Sequence, residues 1–469
     1  MLEMLIYASP DIVLLLGAAS IFVLQYFRKE NPKLYFLLTK IFLAIALFLS
    51  LVFYNKIFAP SYLSENSYTT MIKVVLYLLT IAWYYVSFKW FAGKNLSGGL
   101  YCALGLILTE AMCILVSAIN LISFFIGISV LILMEKLLVK KHLILNKKSA
   151  EENIFAWIII FIALLGIFWI YNTTGSFSYS DIKAYLNING TDMKLGVAFC
   201  SIIISLFYVL MLFPLSFDGL IAGEKTILPI SGYLAVIPPL AAFSGLFIVF
   251  HLMIMPIYEV FRPALVGISL LSMFYGAFGA KKETNLRLLF SYSSIYHFGV
   301  VLLIISYMES YAVLSAFVYF IIYILAAFGI YTSMYAFKSR GEYISKVDDI
   351  AGVYQPLPYI AASVMILVLS MLGTPPLLGF LGRFYITNQL FIENDYTLVI
   401  LVLLPLGVLV SAYLKIIKTM YFEPRVKNFD RVDKGIYISL FVNIMLVMIT
   451  LFNTYEIVKI ARDIIYKMF

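Results

Sequence analysis

Apolar residues in this chain fall in runs of about twenty, a length that spans a hydrocarbon core as an α-helix, separated by short polar connections. Residues 154–171, 196–214 and 436–451 are examples. A membrane β-barrel would instead show alternating segments of about ten residues, and the sequence has none. Helices satisfy their own backbone hydrogen bonds, so a bundle of spans is the architecture lipid permits. The pattern predicts an all-α polytopic membrane protein with about fourteen spans of about twenty residues each. They lie near 10–27, 34–54, 70–92, 98–118, 119–138, 153–173, 195–217, 228–252, 260–279, 287–307, 311–337, 356–391, 396–421 and 435–454. The twelfth is too long for one plain crossing and contains Gly373, Thr374, Pro375 and Pro376. Paired prolines remove two backbone donors, so this helix is expected to break there.

Composition sharpens the picture. Of 469 residues, 63% are hydrophobic and 12% charged, about half the charged fraction of an ordinary soluble domain. The net charge of +8 would suit nucleic acid, but the positive charge lies in loops between spans, so the expected partner is the lipid bilayer and no nucleic acid. Lys and Arg collect after odd-numbered spans: Arg28, Lys29 and Lys33; Lys140, Lys141, Lys147 and Lys148; Lys281, Lys282 and Arg287; Lys338, Arg340 and Lys346; Arg425, Lys427, Arg431 and Lys434. The tally is about 20 against about 5 after even-numbered spans, which puts the odd connections in the cytoplasm and both termini on the non-cytoplasmic side. Residues 1–9 lack a basic region and 10–27 is long enough to span, so no cleavable signal peptide is expected. Cys102, Cys113 and Cys200 sit in apolar segments and read as small core residues. No nucleotide, haem, flavin, iron–sulfur or metal motif appears, and none of these groups is expected in this chain.

Four stretches carry a resemblance. Residues 373–386 read GTPPLLGFLGRFYI, 283–299 read ETNLRLLFSYSSIYHFG, 411–424 read SAYLKIIKTMYFEP, and 172–182 read NTTGSFSYSDI. The first resembles the GxPPxxGFxGKF motif of the antiporter-like subunits of respiratory complex I. The second is similar to their QTNxKRLLAYSSIxHxG, the third to the aromatic and basic run before MYF, and the fourth to the YGATGTxxxxxI loop. The order is the family's, over roughly residues 9–424. Length, the YSSIxH version and the absence of a long C-terminal extension point to the subunit N branch.

The resemblance implies one integral membrane domain over 1–469. N-terminal helices at 10–92 would precede two five-helix repeats of inverted topology, 97–252 and 260–421, each with a broken helix, and a last helix at 435–454 would close the chain. Interrupted helices of this kind place polar backbone and ionisable groups at mid-membrane. It also implies a membrane-arm role, coupling NADH oxidation by quinone in partner subunits to proton translocation in the inner (plasma) membrane. NAD, FMN, iron–sulfur clusters and quinone would be held by those partners, and this chain would have no catalytic activity of its own. In the family a glutamate on the fifth helix and lysines on the seventh, eighth and twelfth form the proton-conducting axis.

Carried over residue by residue, that axis is altered. GISVLIL at 127–133 puts Ser129 at the glutamate position. YVLMLFPLSFD at 208–218 puts Val209, and PISGYLAVIPP at 229–239 puts Pro239, where two of the lysines stand; Arg383 takes the third. Serine does not titrate in the biological range, and valine and proline have no side-chain proton to exchange. A desolvated lysine can lose its proton, whereas arginine, with a pKa above ~12, does not.

Other residues are candidates to compensate. Glu110 lies inside the fourth span, where a carboxylate costs ~2.5 kcal/mol or more and faces a bundle or cavity; it is either a displaced acid or a hydrogen-bonded core glutamate. His297, ten residues into the tenth span, is either a group titrating near neutrality or a satisfied core residue. Lys415 is either an intramembrane cation or an end-of-helix snorkeller. Glu135 and Lys136 read as an interfacial pair, and Asp218 as a loop charge. Two alternatives to a pumping complex I subunit stay open. One is a mainly structural subunit of that complex without its own proton path; the other is a subunit of a cation/proton antiporter or a membrane hydrogenase.

Overall fold

A computed structural model describes residues 9–27, 31–52, 62–94, 98–141, 149–307, 310–452 and 459. Residues 1–8 and the loop cations Arg28, Lys29, Lys147 and Lys148 lie outside the described residues. The chain divides into two compact units. Among the described residues, one runs to Leu210 and takes in Lys225–Val260; the other takes in Met211–Glu224 and the chain from Phe261 on.

The first unit contains α1 (Ser9–Phe27), α2 (Pro32–Val52), α3 (Ser67–Gly93), α4 (Gly99–Ser117), α5 (Leu121–Lys141), α6 (Ser149–Thr174), α7 (Tyr179–Asn189) and α8 (Met193–Val209). Side chains set the entries. Asn66 accepts from Thr69 N–H at 2.9 Å while Thr69 Oγ1 accepts from Asn66 N–H at 2.9 Å, a reciprocal cap that starts α3. Asp192 accepts from Leu195 N–H at 2.8 Å and starts α8. Helix α6 is apolar all round: Ala156, Ala163, Ile167 and Ile170 are buried, whereas Trp157, Phe161, Leu164 and Phe168 are exposed. A helix with two apolar faces suits lipid on one side and protein on the other. Helix α4 is the centre of this unit and packs against α1, α2, α3 and α5; 83% of its spanning window is buried, against 28% for α1.

The same unit holds α10 (Leu228–Val236) and α11 (Pro238–Val249), after α9 (Phe217–Lys225) of the second unit. Pro238 and Pro239 bring no N–H to the carbonyls of Leu234 and Ala235, which is why the helix is interrupted at Ile237. Helix α11 opens into a π-turn at Phe250–Ile254, tightens at Met255–Ile257 and runs on into α12 (Tyr258–Lys282). The spans expected at 228–252 and 260–279 are thus parts of one helical stretch, Leu228–Lys282.

The second unit continues with α13 (Leu286–Ile305), α14 (Ser310–Met334), a hairpin of β1 (Lys338–Ser339) and β2 (Glu342–Tyr343), α15 (Pro358–Leu372), α16 (Leu378–Ile392), α17 (Tyr396–Phe422) and α18 (Lys434–Phe452). Helix α14 is its hub, packing on α13, α15, α16 and α18. Asn285 caps α13 by accepting from Arg287 N–H at 3.0 Å, and Thr284 and Leu286 bond to the chain at Val347 and Ser345. Residues 284–286 therefore both start the helix and pin the segment that follows the β-hairpin.

Among the described residues, ten helical stretches are long and apolar enough to cross a membrane, and three shorter apolar helices join them. Two of the predicted segments are interrupted. The seventh ends at Val209 and resumes as α9 at Phe217. The twelfth ends at Leu372 and resumes as α16 at Leu378. Helix α7 and the β-hairpin lie in stretches expected to be loop. Cys102 and Cys113 are buried, but Cys200 is exposed on α8, contrary to expectation; a small thiol at a lipid-facing helix position needs no polar partner.

Glycines shape the second break. Gly373 ends α15 at φ 73°, a left-handed conformation that favours glycine. A Cβ at Gly379 would lie 1.6 Å from the Ser370 carbonyl oxygen, whereas one at Gly407 on α17 would meet nothing within 4 Å. Gly379→Ala is expected to destabilise the protein by about 3 kcal/mol. Gly407→Ala should be neutral or stabilising by about 0.5 kcal/mol. Thermal unfolding midpoints of the two variants in detergent check the contrast.

Candidate functional site

In the first unit, buried charge gathers between α1, α3 and α4. Lys73, one and a half turns into α3, is 2% exposed. Its ammonium donates to Glu65 Oε1 at 2.5 Å and lies 3.6 Å from Asp11 Oδ1. Glu65 also accepts from the Ser117 hydroxyl at 3.3 Å. Glu110 is 4% exposed on α4, and its Oε2 has no hydrogen-bond partner among the described residues. Asp11, Lys73 and Glu65 all act electrostatically on it. Cys113, one turn further along α4, donates to the Tyr77 hydroxyl at 3.3 Å. Helical spacing explains the grouping: positions 110, 113 and 117 share one face of α4, and 73 and 77 share one face of α3.

In the second unit the polar cluster is built on α13. His297 is buried, its Nδ1 2.7 Å from the Tyr319 hydroxyl and its Nε2 3.3 Å from the Tyr413 hydroxyl. It stacks on Tyr323 at 4.4 Å between ring centroids, and Tyr413 also pairs with the Ser293 hydroxyl. Arg383 donates to the Met371 carbonyl at 2.8 Å and to the Tyr296 hydroxyl at 3.3 Å. Met371 is in the last turn of α15, where carbonyls have no helical partner, so Arg383 caps the broken helix and its charge suits that helix end. Among the described residues Arg383 makes no ion pair, and its Nε has no hydrogen-bond partner. At the turn between α12 and α13, burial and the neighbouring Glu224 hold the Glu283 carboxyl above the usual range.

The other positions singled out in the sequence fall as follows. Ser129 is half-buried on α5 and its hydroxyl donates to the Phe125 carbonyl of its own helix. Val209 ends α8 and Pro239 lies in the first turn of α11, both buried. Gly373, Pro375 and Pro376 lie in the α15–α16 break. Lys415 is half-buried on α17, and no hydrogen bond or ion pair joins it to a described residue. Lys136 lies over the Tyr208 ring at 5.6 Å. Asp218 is in the first turn of α9, where a negative charge is favoured. Asp11, Glu65 and Lys73 do not stand out in the sequence motifs. The available signal was Lys73 itself, a cation within an apolar run, which is the same signal that marks Glu110. Among the described residues no group of His, Cys, Asp and Glu could hold a metal ion.

The model of the transmembrane family of NADH:quinone oxidoreductase and Mrp antiporter subunits matches residues 118–407. The chain belongs to this family. Curated relatives are divergent. NADH-quinone oxidoreductase subunit N of Parvibaculum lavamentivorans is 26% identical over 90% of this chain and 89% of its own length. The subunit N of Paramagnetospirillum magneticum is 29% identical over 71% and 70%. A chain of respiratory complex I from Thermus thermophilus covers 96% of this chain and 98% of its own at TM-score 0.79 and 18% identity. A chain of the Mrp complex from Dietzia covers 98% and 97% at TM-score 0.84 and 13% identity. These likenesses show the fold, shared by complexes of different function, so fold alone does not choose among the family's members.

At the α15–α16 break, Arg383 holds the Met371 carbonyl. Arg383→Met is expected to leave that carbonyl unanswered and to cost about 1–3 kcal/mol, seen as a lowered thermal unfolding midpoint. Arg383→Lys, which keeps a donor, should lose less.

Proposed function

We propose that this protein is a membrane-arm subunit of an NADH–quinone oxidoreductase, in the position of subunit N. The observation that carries the reading is sequence similarity to a subunit N over about nine tenths of both chains. Partner subunits would oxidise NADH, reduce quinone and hold the NAD, FMN and iron–sulfur groups. This chain would contribute no redox chemistry and would serve proton translocation. We infer fourteen spans in the inner (plasma) membrane with both termini on the non-cytoplasmic side, in keeping with the charge bias of the loops. The repeats at 97–252 and 260–421 would each carry one interrupted helix, α8–α9 and α15–α16.

The candidate proton groups are Glu110, His297, Lys415 and Arg383, the last as a fixed charge. Ser293, Tyr413, His297 and Tyr319 form a continuous line of hydrogen-bonding groups in the second unit, and such a line suits proton passage. A second reading, a subunit of the same assembly that does not conduct, is favoured by Ser129, Val209 and Pro239, none of which replaces the titrating group it displaces.

Capture of the tagged chain in mild detergent, with bound subunits identified by mass spectrometry, tests the assignment. NADH dehydrogenase and quinone-site subunits are expected. Recovery of antiporter or hydrogenase subunits would overturn it.

A further inference from the structure

We propose that Asp11, Glu65, Lys73 and Glu110 form a proton-exchange site within the bilayer, with the Glu110 carboxyl as the group that takes up and releases the proton. The inference deepens the reading of the chain as a proton-translocating subunit and rests on it. It assigns that work in the first unit to residues at none of the four altered positions.

Two carboxyl groups flank one ammonium, and a third, that of Glu110, lies within its electrostatic reach. Lys73 engages Glu65 at 2.5 Å and Asp11 at 3.6 Å, and one positive charge neutralises one carboxylate. A further ionised carboxylate in hydrocarbon costs several kcal/mol, so the cluster favours taking up a proton. Among the described residues, Asp11 Oδ1 and Glu110 Oε2 are both buried without a hydrogen-bond partner, but Asp11 Oδ1 lies 3.6 Å from the Lys73 ammonium, whereas no ion pair joins Glu110 to it. A static core acid normally places its polar atoms in hydrogen bonds; one left open suits a mobile partner, water. Access is graded. The side chains of Asp11 and Glu65 are 14% and 16% exposed, that of Lys73 3%. Lys73 follows the start of α3 at Ser67, and Glu110 precedes the end of α4 at Ser117. At 1.5 Å per residue both lie about 10 Å along their helices from the same end of the pair, the end that carries Glu65. Tyr77, Cys113 and Ser117 also lie on these helix faces, as do the buried Thr69, Thr70 and Thr80.

The step balances simply. A proton delivered by water past Glu65 and Asp11 forms an O–H bond on Glu110, and its release restores the carboxylate beside the Lys73 charge. The proton comes from a hydronium, whose O–H bond breaks as the bond to Glu110 forms, leaving water; on release the transfer runs the other way.

Infrared difference spectroscopy of the purified full-length protein in liposomes, stepped in pH, tests this. The expected result is a titrating C=O stretch of a protonated carboxylic acid, downshifted in D2O, lost in Glu110→Gln and displaced in Glu110→Asp. Lys73→Met should move its midpoint to higher pH by roughly one unit, because a cation favours the ionised form. A band that survives Glu110→Gln unchanged, or no titrating band in the wild-type protein, would overturn the proposal. Glu110→Asp keeps the test decisive where Glu110→Gln does not fold. The spectrum is read on this chain alone, so it stands apart from the capture of partner subunits. In the assembled complex, Glu110→Gln should also lower the proton-to-electron ratio.

Discussion

A backbone carbonyl that loses its helical partner inside a bilayer has no water to turn to, and this constraint organises the polar residues of the chain. Several backbone carbonyls are met by a long or hydrogen-bonding side chain. Arg383 caps α15 at the Met371 carbonyl. Lys183 reaches the His251 carbonyl, 3.2 Å away in the π-turn after α11. Trp83 and Tyr101 both donate to the Pro229 carbonyl at the start of α10, at 2.8 and 3.3 Å. Asn443 donates to the Leu325 carbonyl of α14 at 3.0 Å. Polar residues that look misplaced in a hydropathy profile are in several cases there for the backbone.

The spans were legible because lipid imposes one rule on every helix, a run of apolar residues long enough to cross. The break at Gly373–Leu377 was legible from local chemistry, since paired prolines and a left-handed glycine act on their own neighbours. Other features depended on contacts between distant segments. Nothing in YVLMLFPLSFD by itself says that α8 stops at Val209, and only the resemblance suggested it. The π-turn at Phe250–Ile254 is written in the register of one helix against its surroundings, to which a hydropathy window is blind. Helix α7 is short and polar enough to have been taken for loop.

The candidate site divides along the same line. Glu110 was visible because a carboxylate in an apolar run is costly wherever it packs. Its surroundings were not, because Asp11 and Glu65 sit at the ends of spans, where charges are ordinary, and only packing brings them to Lys73. His297 was visible as a motif residue. That both its ring nitrogens meet tyrosine hydroxyls follows from α14 and α17, far along the chain.

The two units have thus arrived at different electrostatics. In the second unit the buried cation is an arginine, which keeps its proton and spends its donors on a helix end, so its charge is fixed by the same contact that stabilises the break. In the first unit the buried cation is a lysine among more carboxyl groups than it can neutralise, so the charge of the cluster varies with occupancy by protons. Lys73 and Glu110 place two exchangeable groups on helices α3 and α4. Burying a lysine and a glutamate without use would be a standing cost that leucine and methionine would remove. A buried carboxyl oxygen with no partner among the described residues is a feature that packing in hydrocarbon alone does not account for.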